Sequence, residues 1–256
     1  MNVIVTAGGT SEAWDDVRVL TNRSTGRTGA MIAESCLERG AEVDYIHVQS
    51  AQVPIVRSAQ FDLTTPDPKI ELARLSELHH RWQVVGARLR LVPLSLGTVA
   101  DYSQALMAAL SSSSIDVAFL AMAVSDFAPL RFAGKVDSRA ISGPGEEPIL
   151  RLRRTPKVIR LVRDWSPSTY FVGFKLLSGV KESELITAAT RATIENRVNV
   201  TVANDFRSVV ERRHEILLVR ENAETVRLPP GADLTDRLVE QIFTWAEEWH
   251  ATRQAP

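Results

Sequence analysis

Thr6-Ala-Gly-Gly-Thr10 and Asn22-Arg-Ser-Thr-Gly26-Arg-Thr-Gly29 lie between the apolar run Val3-Ile4-Val5 and a helical pattern that starts at Ala30. This is a composition suited to holding an anion. Glycine lets backbone N–H groups come close to a phosphate, and the first turn of the following helix adds unpaired donors at the positive end of its dipole. The stretch therefore reads as a phosphate cradle built on Gly8, Gly9, Gly26 and Gly29. A Gly-Gly pair alone is often a turn, but Asn22, Ser24, Thr25 and Thr28 crowd in hydrogen-bonding side chains that a plain connector does not need.

Two further residues could do chemistry. Ile115-Asp-Val-Ala-Phe-Leu-Ala-Met122 is nearly continuous apolar sequence, the pattern of a central strand covered on both faces, and it stops at Ala123-Val-Ser-Asp126. A carboxylate at the carboxyl end of such a strand stands where open α/β sheets bind ligands, although Asp126 could equally cap a helix. The segment 130–148, rich in glycine and proline, reads as a mobile loop carrying Lys135, which is either part of a lid or an exposed lysine. His79-His80 has no acidic or cysteine partner at ligand spacing and reads as a surface pair, so no metal ligands are expected. The one cysteine, Cys36, falls in an apolar helix, excludes an internal disulfide, and reads as buried and inert.

These groups need a scaffold. A strand over 2–6, a helix over 28–39 closed by Gly40, and a strand over Glu42–Val48 form a βαβ unit, which predicts a parallel sheet. Helices are expected over Ile70–Leu78, Asp101–Leu110, Thr155–Trp165, Glu182–Asn196 and Leu234–Trp249. Further strands are expected over Ala87–Leu94, Tyr170–Phe174 and Val198–Ala203, the last halting at Asn204-Asp205. Gly173 inside a strand suggests close approach by a ligand or another backbone. His214–Val219 and Thr225–Leu228 read as a terminal hairpin. The expected fold is an α/β, Rossmann-like three-layer sandwich with a mostly parallel central sheet and a C-terminal β-hairpin extension, a single domain over residues 1–256. A nicotinamide dehydrogenase is disfavoured: no G-x-G-x-x-G opens the first helix directly, and the second strand runs into Gln49-Ser-Ala-Gln52 rather than an acidic residue.

Composition narrows the class. With 256 residues, 45% hydrophobic, and 30 basic against 31 acidic side chains for a net charge of -1, the chain carries no basic excess for nucleic acid. It opens directly on a strand, with no leader and no apolar stretch of membrane-span length, so a cytoplasmic location is expected.

Taken together, Val5-Thr-Ala-Gly-Gly-Thr10, Asp16-Val-Arg18, Thr21-Asn22-Arg-Ser-Thr-Gly26, Ala123-Val-Ser-Asp126, Lys135, Thr155-Pro156, Val172-Gly-Phe174 and Val202-Ala-Asn-Asp205 resemble the phosphopantothenate-cysteine ligases of coenzyme A biosynthesis, over nearly the whole chain. With nothing before the first strand, the sequence resembles the stand-alone bacterial form. The resemblance implies that a nucleoside triphosphate, CTP in bacterial members and ATP in animal ones, brings Mg2+ and activates the carboxylate of 4'-phosphopantothenate as an acyl nucleotidylate. The amine of cysteine then forms the amide. It also implies roles: Asn22 over the acyl nucleotidylate, Lys135 at the α-phosphate, Ser24, Gly26 and Gly29 at the triphosphate, and Ala123, Asp126 and Phe174 at the nucleotide. Asn204 would complete the phosphate shell, and Arg18 would hold the phosphate of phosphopantothenate in a homodimer whose sites borrow groups across the interface. Two lysines common on the helix before Asn204 are missing, with only Arg191 and Arg197 there, and Lys175 is a candidate replacement. A NAD(P)-binding oxidoreductase and a non-catalytic nucleotide-binding module remain alternatives on the same architecture.

Overall fold

In chain order, β1 (Asn2–Ala7) leads through a short ribbon, β2 (Ser11–Ala13) and β3 (Val19–Thr21), into α1 (Arg27–Glu38). Then come β4 (Glu42–Val48), α2 (Pro68–Val85), β5 (Leu89–Leu94), α3 (Val99–Ser112) and β6 (Val117–Leu120). A second ribbon, β7 (Phe127–Pro129) and β8 (Leu152–Arg154), is followed by α4 (Val162–Trp165), β9 (Tyr170–Leu177), α5 (Glu182–Asn196) and β10 (Val200–Asp205). β11 (Ile216–Arg220), β12 (Thr225–Leu228) and α6 (Leu234–Gln254) complete the chain. This is a computed structural model that describes residues 1–137, 149–207 and 215–254.

Eight strands form one sheet in the order β12-β11-β10-β9-β6-β1-β4-β5. From β5 to β10 every neighbouring pair is parallel, while β11 and β12 add on antiparallel. The six parallel strands thus follow the doubly wound order, with the reversal between β1 and β6, and the hairpin extension expected from the sequence continues the same sheet. Alternation along the strands sends two sets of side chains to opposite faces. Val3, Val5, Val43, Val202 and Leu218 pack with α1 and α6, whereas Ile4, Ile46, Ala118 and Phe171 pack with α3 and α4. Leu185 and Ala189 of α5 cover Ala203, Leu217 and Val219. Helices on both faces bury β6 along its whole length, which is why it reads as unbroken apolar sequence.

Three local expectations are corrected. α2 extends well beyond Ile70–Leu78, because of its residues only Glu71 and Val85 are fully buried and its apolar period is weak. The helix expected over Thr155–Trp165 is split: the N–H groups of Arg160 and Leu161 donate to Lys157 and Val158, the tighter 3₁₀ spacing over Val158–Arg160, before the single turn of α4. A Cβ at Gly173 would meet nothing nearer than 3.4 Å, from Ile159 and Val198 side chains, so of the two approaches expected there, by a ligand or by backbone, the backbone one is absent among the described residues. The terminal hairpin and final helix are as expected, with His214 outside the described residues.

Candidate functional site

The site is built where β1 and β6 run past their paired length. Gly9 bridges to Ala123, the Ala123 N–H donates to the Gly8 carbonyl at 2.8 Å, and the Thr10 N–H donates to the Ala123 carbonyl at 3.1 Å. The hydroxyls of Thr6 and Thr10, both buried, accept from the N–H groups of Met122 and Ser125 at 3.1 and 2.9 Å. They hold the turn after β6 and are spent on the protein itself. The Asn22 amide also donates to the Ala123 carbonyl, at 3.2 Å, which brings the end of the first ribbon onto the strand reversal.

The cradle glycines have steric reasons of their own. Gly8 has φ +96°, and a Cβ there would lie 2.4 Å from a Val48 methyl; Gly26 has φ +72° and would place one 2.7 Å from the Ala51 methyl. A Cβ on Gly29 would lie 2.7 Å from that of Ala7, so α1 sits directly against β1, and one on Gly9 would lie 2.6 Å from the Asn22 carbonyl oxygen. Ser24 accepts from the Gly26 N–H at 3.4 Å.

A cleft of about 440 Å³ opens at the carboxyl ends of β6 and β9 and brings together four of the expected residues, Asn22, Ala123, Asp126 and Phe174. Sequence reasoning did not single out Lys157 and Arg160, which also line it. Their signal was the basic spacing after Pro156, obscured by the expectation of a regular helix. Lys157 pairs with Asp126 at 2.7 Å, and Arg160 pairs with Glu195 at 2.7 Å. Asp126 therefore caps no helix; it precedes β7. Lys175 lines the same cleft and makes no ion pair among the described residues, and Arg191 lies opposite on α5. Arg197 is turned away, forked onto Asp164.

Asn204, next to last in β10, is in register with Leu176 and lies outside the cleft lining, as do Gly8, Gly9, Ser24, Gly26 and Gly29. Arg18 and Lys135 form a separate cluster. The Asp15 carboxylate, its side chain 0% exposed, accepts from the N–H groups of Val17, Arg18 and Val136 at 2.9, 2.7 and 3.1 Å and pairs with the Arg18 guanidinium at 3.1 Å. Burial opposes that charge, but the N–H donors of Val17, Val136 and Arg18 with the Arg18 guanidinium outweigh it and hold the carboxyl below its usual range. The Asp16 N–H donates to the Gly134 carbonyl at 3.2 Å, so Lys135, itself exposed, is tied between two anchored neighbours. The rest of the expected loop, 138–148, lies outside the described residues.

Arg18 is half-committed: besides Asp15 it donates to the Val136 carbonyl at 3.3 Å and lies 4.9 Å over the Trp14 ring. The two ribbons beside it expose Val17, Val19, Phe127, Leu130 and Phe132, a set of apolar side chains on neighbouring segments. The edge strand of the sheet, β12, is short and guarded, with Arg227 paired to Glu182 and Glu215. Cys36 is buried and its thiol is pushed up by that burial, and His79 and His80 are exposed on α2. No helix among the described residues is long and apolar enough to cross a membrane.

A family model described as the DNA/pantothenate metabolism flavoprotein C-terminal domain matches residues 1–66 and 90–245. The coenzyme A biosynthesis bifunctional protein CoaBC of Thermococcus kodakarensis is 32% identical over 94% of this chain, which spans 50% of that relative's length. Phosphopantothenate–cysteine ligase 2 of Oryza sativa subsp. japonica is 26% identical, over 97% of this chain and 80% of its own. Among solved structures, the DNA/pantothenate metabolism flavoprotein from Streptococcus pneumoniae superposes with a TM-score of 0.73 at 26% identity, covering 98% of this chain and all of the other.

Proposed function

Because the chain belongs to the DNA/pantothenate metabolism flavoprotein C-terminal domain family, we propose that it is a phosphopantothenate-cysteine ligase acting in coenzyme A biosynthesis. The observation that carries this reading is the cleft at the strand reversal, where an amide donor (Asn22), an aromatic side chain (Phe174) and a cation without an ion pair among the described residues (Lys175) meet. In the first step a carboxylate oxygen of 4'-phosphopantothenate attacks the α-phosphorus of a nucleoside triphosphate, and pyrophosphate leaves. The cysteine amine then attacks the acyl carbonyl, forming the amide as the nucleoside monophosphate departs.

No side-chain nucleophile is needed, so the protein's contribution is placed donors and cations that stabilise developing charge. Ala123, Asp126 and Phe174 would frame the nucleotide, with Gly8, Gly9, Ser24, Gly26, Gly29 and Asn204 on the phosphate side. Asn22 would donate to the acyl nucleotidylate, and Lys135 would bring charge as pyrophosphate leaves. Lys175 and Arg191 supply the cations that the missing lysines of α5 do not. CTP is the proposed nucleotide, with ATP as the competitor. Magnesium would arrive with the triphosphate substrate. Arg18 would serve the substrate phosphate in a homodimer formed through the two apolar ribbons, and a cytoplasmic location is part of the same reading.

The test is pyrophosphate release that depends on phosphopantothenate, measured with cysteine present and with CTP and ATP in competition. Release independent of phosphopantothenate, or none with either nucleotide, would overturn the proposal. Tight NADPH binding in place of nucleoside triphosphate binding would favour the oxidoreductase.

A further inference from the structure

A second cavity, of about 610 Å³, lies at the other end of the sheet, where β9 begins, β11 ends, and α5 and α6 bring down their last turns. Four arginines line it, and two helix carboxyl ends favour cations there, so most of that charge has a structural use. Arg163 donates to the carbonyls of Pro167, Thr169 and Arg197 and to the Asn199 side-chain oxygen. Arg197 forks onto Asp164, and Arg220 pairs with Glu224. Arg253 is left over: it lies 4.7 Å over the Trp249 ring and makes no ion pair among the described residues.

Tyr170 is the independent observation. It is 1% exposed, its ring meets Trp249 edge-on at 5.9 Å, and its buried hydroxyl has no hydrogen-bond partner among the described residues. Buried polar atoms are almost always satisfied, and a group that arrives through the cavity Tyr170 lines, with a small shift of the ring, would satisfy this one. Burial raises this hydroxyl to about 12, so it stands ready as a donor at neutral pH. Burial first, then the charges of Arg253 and Arg197, push Arg163 down to about 10, which marks crowded like charge. Glu221 on the lining, with Glu248 and the Arg220-paired Glu224, whose charges act on Tyr170, are the facing acids.

We propose that this basal cavity binds a small phosphate-bearing ligand, held by the Arg253 guanidinium and the Tyr170 hydroxyl beside the Trp249 ring. Both groups donate and neither accepts from its present neighbours, so the ligand must be rich in acceptors, and guanidinium matches phosphate oxygens in a fork. The volume falls in the range of small-molecule sites. The site shares no lining residue with the cleft, although Arg197 donates to the carbonyl of Arg160 on the cleft side, and it does not rest on the ligase reading.

The probe is inorganic pyrophosphate titrated into the full chain, followed by the Trp249 indole N–H resonance, assigned by its loss in Trp249→Phe. The resonance should move on titration, and Arg253→Ala should weaken the affinity at least tenfold. Tyr170→Phe should leave the ligand-free melting temperature unchanged or raised, since it removes an unpartnered group, while weakening pyrophosphate binding several-fold. A Trp249 resonance that stays still at millimolar pyrophosphate, unaltered affinity in Arg253→Ala, or a ligand-free Tyr170→Phe protein that melts lower would each overturn the proposal.

Discussion

Replacing Gly29 with alanine adds one methyl group to the buried face of α1 and sets two effects against each other. Within a helix, alanine is favoured over glycine by about 1 kcal/mol. The new Cβ would lie 2.7 Å from the Ala7 Cβ and 3.1 Å from the Thr6 carbonyl oxygen. Carbon atoms rest roughly 3.5–4.0 Å apart, so α1 must retreat from β1 by about 1 Å. Overpacking of this kind costs about 1–3 kcal/mol. The steric term wins, and Gly29→Ala should lose about 1 kcal/mol of stability. The larger consequence is functional, because a displacement of about 1 Å in catalytic geometry can cost roughly 100-fold in rate. Gly173→Ala is the internal control: its Cβ finds 3.4 Å contacts with side chains that can yield, so the change should stay within about 0.5 kcal/mol of wild type. Urea denaturation and phosphopantothenate-dependent pyrophosphate release read the two quantities separately. A Gly29→Ala protein that is more stable than wild type and fully active would refute the reasoning, as would equal damage from Gly173→Ala.

Asn22→Asp should fold normally but lose about 10²- to 10³-fold in turnover, because a carboxylate cannot donate to an anionic intermediate; wild-type turnover would remove Asn22 from the mechanism. Lys135→Gln should slow formation of the acyl nucleotidylate more than its consumption, and an unchanged rapid-quench time course would make it a surface lysine. Asp15, with its carboxyl held below the ordinary 3.8, keeps the Val136 N–H bonded at neutral and mildly acidic pH, and that protection should disappear as pH falls through the lowered value. Asp15→Asn should expose the Val136 amide to hydrogen exchange already at neutral pH, and wild-type exchange in that variant would refute the anchor. Val19→Asp should give a monomer by sedimentation while Arg227→Ala does not, and mixed Arg18→Ala and Asn22→Asp protomers should recover part of the activity. A fully active wild-type monomer would end the dimer proposal.

The centre of the parallel sheet was legible because it is buried on both faces. A strand such as Val117–Leu120, covered on both faces, can be written only in apolar residues, and the glycine that closes α1 marks its end without ambiguity. The ribbons were not legible, since three residues on each side are too few to show an alternating period. At the site, Asp126 could be expected because it follows an apolar strand, whereas Asn22, Ala123 and Phe174 were drawn to it only by the family resemblance. Lys157 and Arg160 could not, because a 3₁₀ turn and a regular helix differ by one residue in hydrogen-bond spacing and place the same side chains on different faces. The glycines carried a mixed message: what looked like room for a ligand is, at Gly8, Gly26 and Gly29, first of all room for Val48, Ala51 and Ala7.

The splice between Gly8–Thr10 and Ala123 makes the two walls of the cleft mechanically unequal. On one side, three backbone and side-chain donors, from Thr10, Asn22 and Ala123 itself, lock the strand ends into a single stiff block. On the other, the 3₁₀ turn faces α5 through Arg160–Glu195 and closes over Asp126 through Lys157, exposed ion pairs of the kind worth about 0–1 kcal/mol each. Distortion therefore concentrates in the second wall. A ligand of different width is accommodated by swinging lysine and arginine side chains whose present bonds are cheap to break, while the reference surface from which Asn22 is aimed stays where it is.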